Sequence, residues 1–267
     1  MPAWLRRTAG TTGYLCRRLL VDALAAPERA SAFREAIARM REAEDREARV
    51  PVRRLTDLWP SPGPVTTAVE ALTDGNPTAI ELFCLGAVVR ASGARVIFEI
   101  GTFDGATTLQ LALNSPPDAV IHTLDLPADA VDRTRSPLLA QERGYALKPA
   151  SGARLVGTPV RAKIRQLYGD SAAFSAEPFA GQMDLVVIDG SHAREYVRSD
   201  SALARAMARP GGWIVWHDYG VWPDVTAVLD ELAGELPLVR LEATTLVVAH
   251  IPSGEDGDTS RGPSVTT

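Results

Sequence analysis

Four acids stand at the ends of short apolar runs, and their placement is the chemistry the chain offers first. Glu99 lies within Val96–Ile100, Asp125 follows Val120–Leu124, Asp189 follows Leu185–Ile188, and Asp218 follows Trp213–Trp216 after His217. The last two belong to the longest motifs. Asp189 sits in Asp184-Leu185-Val186-Val187-Ile188-Asp189-Gly190-Ser191-His192, and Asp218 in Pro210-Gly211-Gly212-Trp213-Ile214-Val215-Trp216-His217-Asp218-Tyr219. If their strands are neighbours, about 4.8 Å apart, the two carboxylates converge on one rim. Close carboxylates repel unless a proton or a cation lies between them. A divalent metal with oxygen ligands at roughly 2.0–2.6 Å is one resolution; two separate helix or turn caps are the other. The candidate metal ligands are therefore Asp189, Asp218 and His217, although imidazole suits softer ions than magnesium and a metal-free site is the alternative. His192 and His217 are the candidate bases, since an imidazole with a pKa of about 6.5 takes a proton at neutral pH. With Asp189 they form the candidate catalytic set. His122 and His250 fall in or at the end of strand runs and read as structural.

The second constellation is Glu99-Ile100-Gly101-Thr102-Phe103-Asp104-Gly105, a turn between a strand and a helix that begins near Ala106. Glycine permits a sharp turn and close approach to a ligand. A dinucleotide site wants three glycines as G-x-G-x-x-G; here the middle one is missing. Glu99 and Asp104 place negative charge where a pyrophosphate would lie, which suits a cationic ligand such as S-adenosylmethionine better. Asp125 can accept the hydroxyls of an adenosine ribose, with hydrogen bonds worth about 1.5–3 kcal/mol each, or can be a turn residue. Asp170 and Ser171, after the run Ile164–Tyr168, can meet an adenine edge or cap a helix. Glu99, Gly101, Gly105, Asp125, Asp170 and Ser171 are thus candidate cofactor residues.

Such groups need a scaffold that brings them to one edge. From Arg95 onward, apolar runs alternate with helical stretches, the pattern of a parallel sheet covered by helices. Five runs are of parallel type: Val96–Ile100, Val120–Leu124, Ile164–Tyr168, Leu185–Ile188 and Trp213–Trp216. Ile164–Tyr168 is interrupted by Arg165 and Gln166. Leu238–Leu241 and Thr245–Ala249 are too close for a helical crossover and are expected to pair antiparallel. The segment from about Pro127 to Arg161 carries Pro137, Pro149 and Pro159 and is expected to cover the site. Upstream, Ala26–Arg49 reads as a charged helix, Pro51, Pro60, Pro62 and Pro64 break the chain, and a helix is expected over Pro77–Ser92 with Ile80, Phe83, Cys84, Ala87 and Val88 as its apolar face. The division expected is an N-terminal helical extension over 1–76, a main domain over 77–251 and a disordered tail over 252–267.

Composition narrows the class. Of 267 residues, 46% are hydrophobic and 23% charged, which is globular. A net charge of −5 speaks against a nucleic-acid partner. Lys148 and Lys163 are the only lysines. Cys16 and Cys84 have no metal-type spacing and read as reduced thiols in a cytoplasmic setting. No run is long enough for stable membrane insertion. The N-terminal segment with Arg6, Arg7, Arg17 and Arg18 is expected to pack on the domain or on a second copy, making a homo-oligomer, with a membrane-surface helix as the other option.

Taken in order, Glu-Ile-Gly-Thr with the following Gly105, Ile-Asp-Gly-Ser-His with a Tyr and an Asp downstream, Pro-Gly-Gly and His-Asp-Tyr resemble the class I S-adenosylmethionine-dependent methyltransferases. Within these the chain is most similar to the small-molecule O-methyltransferase and cephalosporin-hydroxylase-like group, over about Pro77 to Ile251. The resemblance implies an α/β fold: a Rossmann-like, doubly wound seven-stranded sheet, mostly parallel with an antiparallel terminal strand. It implies S-adenosylmethionine as cofactor, a small-molecule acceptor hydroxyl, and a divalent metal such as magnesium in the metal-dependent members. Glu99, Gly101, Thr102 and Gly105 would border the methionine end, Asp125 the ribose, and Asp170 with Ser171 the adenine. Those members place a further acid or Asn beside the second metal-binding Asp; here His217 and Tyr219 flank Asp218. An NAD(P)-dependent oxidoreductase is the competing enzyme, and the absence of any Tyr-x-x-x-Lys pair speaks against it. A catalytically idle methyltransferase-like scaffold is the competing non-enzyme.

Overall fold

The computed structural model describes residues 49–68 and 73–253. The helix expected over Ala26–Arg49, the basic N-terminal segment, Cys16 and the tail from 254 onward lie outside these residues, Arg49 excepted. In chain order the elements are β1 (Val52–Arg53), α1 (Leu55–Leu58), α2 (Ala79–Ser92), β2 (Val96–Ile100), α3 (Ala106–Asn114), β3 (Val120–Asp125), α4 (Arg143–Ala146), β4 (Ile164–Tyr168), β5 (Met183–Ile188), α5 (Arg194–Met207), β6 (Ala208–Trp216), α6 (Pro223–Leu232), β7 (Val239–Leu241) and β8 (Val247–His250).

The strands form one sheet in the order β1-β7-β8-β6-β5-β2-β3-β4. β2 to β6 are mutually parallel, while β8 runs antiparallel to both β6 and β7. The fold is therefore the expected Rossmann-like, mostly parallel sheet closed by an antiparallel pair. Among the described residues it has eight strands and not seven, because Val52–Arg53 adds a two-residue strand parallel to β7. Described residues ahead of 77, which the sequence assigns to the extension, help build the same compact unit. Thr66, for instance, donates its N–H to Asn114 and accepts from Gln110 and Asn114.

Alternation along the strands sorts the core into two layers. Ile97, Leu185, Val187 and Val215 pack with Leu85, Val88, Val89 and Leu111 of α2 and α3. Phe98, Ile100, Val186, Ile188 and Ile214 pack with Val197, Ala204, Val225 and Leu229 of α5 and α6. α2 starts at a capping box in which Thr78 Oγ1 accepts from Glu81 N–H and Glu81 accepts from Thr78 N–H, and it ends at Gly93 with φ +64°. Its buried face is Glu81, Leu82, Cys84, Leu85, Ala87, Val88 and Val89. Ile80 and Phe83, expected on that face, are exposed; the helix is rotated so that Glu81 points inward. His122 stacks on Phe98 and meets Phe179 edge-on, and His250 lies tilted against Trp213. Among the described residues no helix is long and apolar enough to cross a membrane.

Candidate active site

Register brings the loops to one edge. Ile100 pairs with Leu124 and with Ile188, Ile188 with Trp216, and Asp125 with Tyr168. The ladder continues past the strands: Gly101 N–H donates to Leu124 O, Asp189 N–H to Ile100 O, His217 N–H to Ile188 O and Gly169 N–H to Asp125 O. Every crossover loop of the parallel half thus leaves from the same carboxyl edge, where ligands bind in open α/β sheets. Asp125, Asp189 and Asp218 stand on that edge, and Glu99 lies one residue inside it.

The first loop is shaped by packing against other loops. Gly101 has φ +98°, and a Cβ there would lie 1.9 Å from Asp189 O. Gly105 has φ +94°, and a Cβ would lie 3.1 Å from Gly152 Cα. The sequence alone suggests that these glycines admit a ligand; the structure shows that they admit the β5 loop and the 127–161 segment. Asp104 is likewise spoken for. It accepts from Ala106 N–H and Asn76 at 3.0 Å and pairs with Arg154 Nε at 2.7 Å.

Glu99 is wholly buried. One carboxylate oxygen, Oε2, accepts from the hydroxyls of Thr108 and Thr123, while Oε1 has no partner. Burial pushes this carboxyl up to about 8; the two threonine hydrogen bonds oppose that, and the charges of Asp189 and Asp125 add to it. Thr102, two per cent exposed, joins the same network: its hydroxyl lies 2.6 Å from that of Thr123 and accepts from Gln166 Nε2 at 2.9 Å. Asp125 is nearly buried and holds Lys148 Nζ at 2.8 Å and the Ser151 hydroxyl, both on Oδ2. Asp170 caps a short 3-10 turn through Ala172 N–H and also accepts from Tyr196 OH at 2.8 Å and Arg135 N–H at 2.6 Å. Ser171 opens that turn beside buried Asp200, whose carboxyl burial lifts to about 7, helped by the charge of Asp170 and opposed by the Ser171 and Ser199 hydroxyls.

Across the switch between β2 and β5 the edge changes character. His192 Nε2 lies 2.7 Å from Asp218 Oδ2 and Nδ1 lies 2.6 Å from Glu142 Oε1. These are close charge contacts, although the ring N–H directions are not aligned as hydrogen bonds. The ring stacks flat on Trp222, 4.4 Å between centroids with planes 4° apart. His217 Nδ1 lies 3.0 Å from Asp189 Oδ1 and 3.4 Å from Asp218 Oδ2, and Nε2 lies 3.4 Å from Glu81 Oε2. Asp218 takes φ +68°, a backbone region that Asp visits more readily than most residues, and its N–H is held by Thr245 Oγ1 at 3.1 Å. Burial alone would lower the His192 pKa, but Asp218 and Glu142 outweigh it and raise it to about 9. For His217, too, Asp189, Asp218 and Glu81 outweigh burial and hold it well above its ordinary value. The surrounding carboxylates thus favour the protonated form of both rings.

Among the described residues, Asp189, His192 and Asp218 offer ligand atoms that all lie within 4.8 Å of one another. His192, not His217, completes the group with metal-like spacing. Two acids at this site carry no mark in the sequence motifs. Glu142 comes from the 127–161 segment and, besides His192 Nδ1, accepts from the Ser191 hydroxyl at 2.9 Å and from His192 N–H. Glu81 reaches His217 and Thr245 from the first turn of α2. Its Thr-x-x-Glu capping box was a readable signal for the helix start; nothing local signals the contact with His217.

A mostly parallel sheet wound on both faces, with a glycine turn after its central strand and acids along its carboxyl edge, belongs to the Rossmann-like α/β class. Residues 98–219 match the model of a family described as a methyltransferase domain. The match holds every site residue above except Asn76, Glu81, Trp222 and Thr245. No curated protein matches the sequence. Solved structures similar to the chain include the O-methyltransferase TomG from Streptomyces achromogenes, involved in tomaymycin synthesis and solved with S-adenosylmethionine, at 19% identity over 68% of this chain and 84% of that one, TM-score 0.48. An O-methyltransferase from Bacillus cereus in complex with S-adenosylhomocysteine is 16% identical over 67% of this chain and 84% of that one, TM-score 0.46. Cofactor-bound Rv0187 from MTB is 19% identical over 88% of this chain and 95% of that one, TM-score 0.47.

Proposed function

We propose that the protein is an S-adenosylmethionine-dependent O-methyltransferase acting on a small-molecule hydroxyl in the cytoplasm, with Asp189, His192 and Asp218 as the centre of its chemistry. The observation that carries this is the charge imbalance of the edge within a methyltransferase domain. Glu99, Asp125 and Asp189 lie close enough that the latter two help hold Glu99 protonated, and Glu99 Oε1 has no protein partner. A cationic cofactor along this edge relieves that imbalance; a pyrophosphate of NAD worsens it. Glu99 would serve the methionine end and Asp125 the ribose. S-adenosylmethionine supplies an activated methyl group for displacement by the acceptor oxygen.

The residues present also fit a divalent cation. Two carboxylates and one imidazole with ligand atoms within 4.8 Å suit manganese, iron(II), cobalt or zinc better than magnesium. When bound, such an ion would lower the acceptor's pKa and orient it. His192 would face the ion with Nε2, and Glu142 and Trp222 would fix its ring. His217, at longer range between Asp189 and Asp218, would take the acceptor's proton in its neutral form, which a bound cation would favour by offsetting the carboxylates that raise its pKa. His192 would thereby take the ligand place that the sequence reading offered to His217, while His217 would keep the role of base that reading gave to both. A metal-free site is the second reading, favoured by the direct His192–Asp218 contact at 2.7 Å. Its imidazoliums would neutralise the carboxylates.

Calorimetry with S-adenosylhomocysteine and with NAD tests the cofactor assignment: binding of the first and not the second is expected, and the reverse refutes it. Turnover after EDTA treatment separates the two versions. Loss, with recovery on added manganese or cobalt, supports the ion; an unchanged rate supports the metal-free site.

A further inference from the structure

The 127–161 segment does more than lie over the site. It supplies both partners of the acid at the end of β3. Lys148, one of only two lysines in the chain, sets Nζ 2.8 Å from Asp125 Oδ2 with side chains only 10% and 7% exposed, and the Ser151 hydroxyl donates to the same oxygen. The stretch that carries them is pinned to the first loop. Gly152, with φ +66°, donates its N–H to Phe103 O at 2.8 Å, Arg154 N–H donates to Asp104 O at 2.9 Å, and Arg154 Nε pairs with Asp104 at 2.7 Å. Gly105 packs closely on this stretch, where an added Cβ would lie 2.9 Å from Leu155 Cγ and 3.1 Å from Gly152 Cα.

We propose that residues 148–152 form a further wall of the cofactor site, and that Lys148 and Ser151 are positioning residues for Asp125. Two donors converge on Oδ2, so Oδ1 is the oxygen left to accept from a ribose hydroxyl. The ammonium of Lys148, 2.8 Å from Oδ2, pairs the Asp125 carboxylate and holds it stationary in a nearly buried setting, where an unpaired carboxylate would be costly. The inference rests on the reading of Asp125 as the ribose acceptor. A mere latch predicts the opposite result, since a lysine that competed with the ribose would weaken binding by its presence.

The test is the affinity of the full chain for S-adenosylhomocysteine, by calorimetry, in Lys148→Met, Ser151→Ala, Asp125→Asn and Lys148→Met/Asp125→Asn, each checked for retained circular dichroism. Loss of a charged hydrogen bond corresponds to roughly tenfold or more in affinity. Asp125→Asn and Lys148→Met should each weaken binding by about tenfold or more, Ser151→Ala by a few-fold, and the double variant should be no weaker than Asp125→Asn alone, the non-additivity of residues acting as one unit. If Lys148→Met fails to fold, Ser151→Ala alone decides. Unchanged or tighter binding in Lys148→Met or Ser151→Ala, with Asp125→Asn impaired, overturns the positioning role only. Unchanged binding in Asp125→Asn removes the ribose assignment and the inference with it.

Discussion

The two halves of the sheet edge solve the same problem differently. Behind β2, β3 and β4, each acid is met by hydroxyls, amides or a cation from the 127–161 segment: Glu99 by two threonines, Asp125 by Lys148 and Ser151, Asp170 by Tyr196 and Arg135 N–H. Behind β5 and β6, the acids are met by imidazoles: Asp218 by His192 and His217, Asp189 by His217, with Glu142 and Glu81 behind the rings. Hydroxyls and backbone amides are fixed partners that hold a shape. Imidazoles exchange protons and can face a metal, so the second half can change charge during a reaction. On the proposed function, binding falls to the first half and chemistry to the second.

The sharpest way to break this division is to remove an acid from the second half. Asp189→Ala and Asp218→Ala should lower turnover by about a thousandfold or more, the scale of losing several kcal/mol of transition-state stabilisation. Affinity for S-adenosylhomocysteine should change by only a few-fold. An equal loss in both measurements would merge the halves. Glu142→Ala should come next, lowering activity by roughly 10–100-fold, as loss of a partner that orients a ligating histidine does. Glu142→Gln should recover part of it, and full activity in the alanine variant would leave Glu142 as a loop anchor.

In the first half the effects should be smaller and should appear in binding. Glu99 is held up to about 8, and a cationic cofactor favours its ionised form. Binding should therefore release protons below pH 8, and affinity should rise with pH until about 8. Glu99→Gln should flatten this slope and weaken binding by about tenfold; calorimetry in two buffers of different ionisation enthalpy measures both. Because the folded-state pKa lies above the ordinary carboxylate value, the linked stability is fully present at acid pH and is lost as pH rises through about 8. The smallest effect belongs to Asp200, at about 7 by the same burial argument. Asp200→Asn should raise the melting temperature by a few degrees at pH 8 and change it little at pH 5.

Much of this architecture could be read in advance, and what could not has a physical reason. Buried parallel strands are nearly continuous apolar runs, so β2, β3, β5 and β6 declare themselves. β4 tolerates Arg165 and Gln166 because it is the edge strand: Arg165 is exposed, while Gln166 turns in to donate to Thr102 and to Thr123 O. β1 has two residues and hence no period to detect. The edge acids follow from strand ends, but their partners do not. Glu142 lies in an irregular, proline-containing stretch and meets a histidine 50 positions away, and Glu81 reaches the β8 approach across 164 positions. The glycines of the first loop were visible as glycines, yet what they make room for is another loop.

A crystal structure of the protein with S-adenosylhomocysteine and manganese would test the central claim most directly. The account places the nucleoside along the carboxyl edge with its ribose against Asp125 and the ion among Asp189, His192 and Asp218. A nucleoside bound on the opposite edge, or bound here with Asp125 facing away from it, would contradict the account.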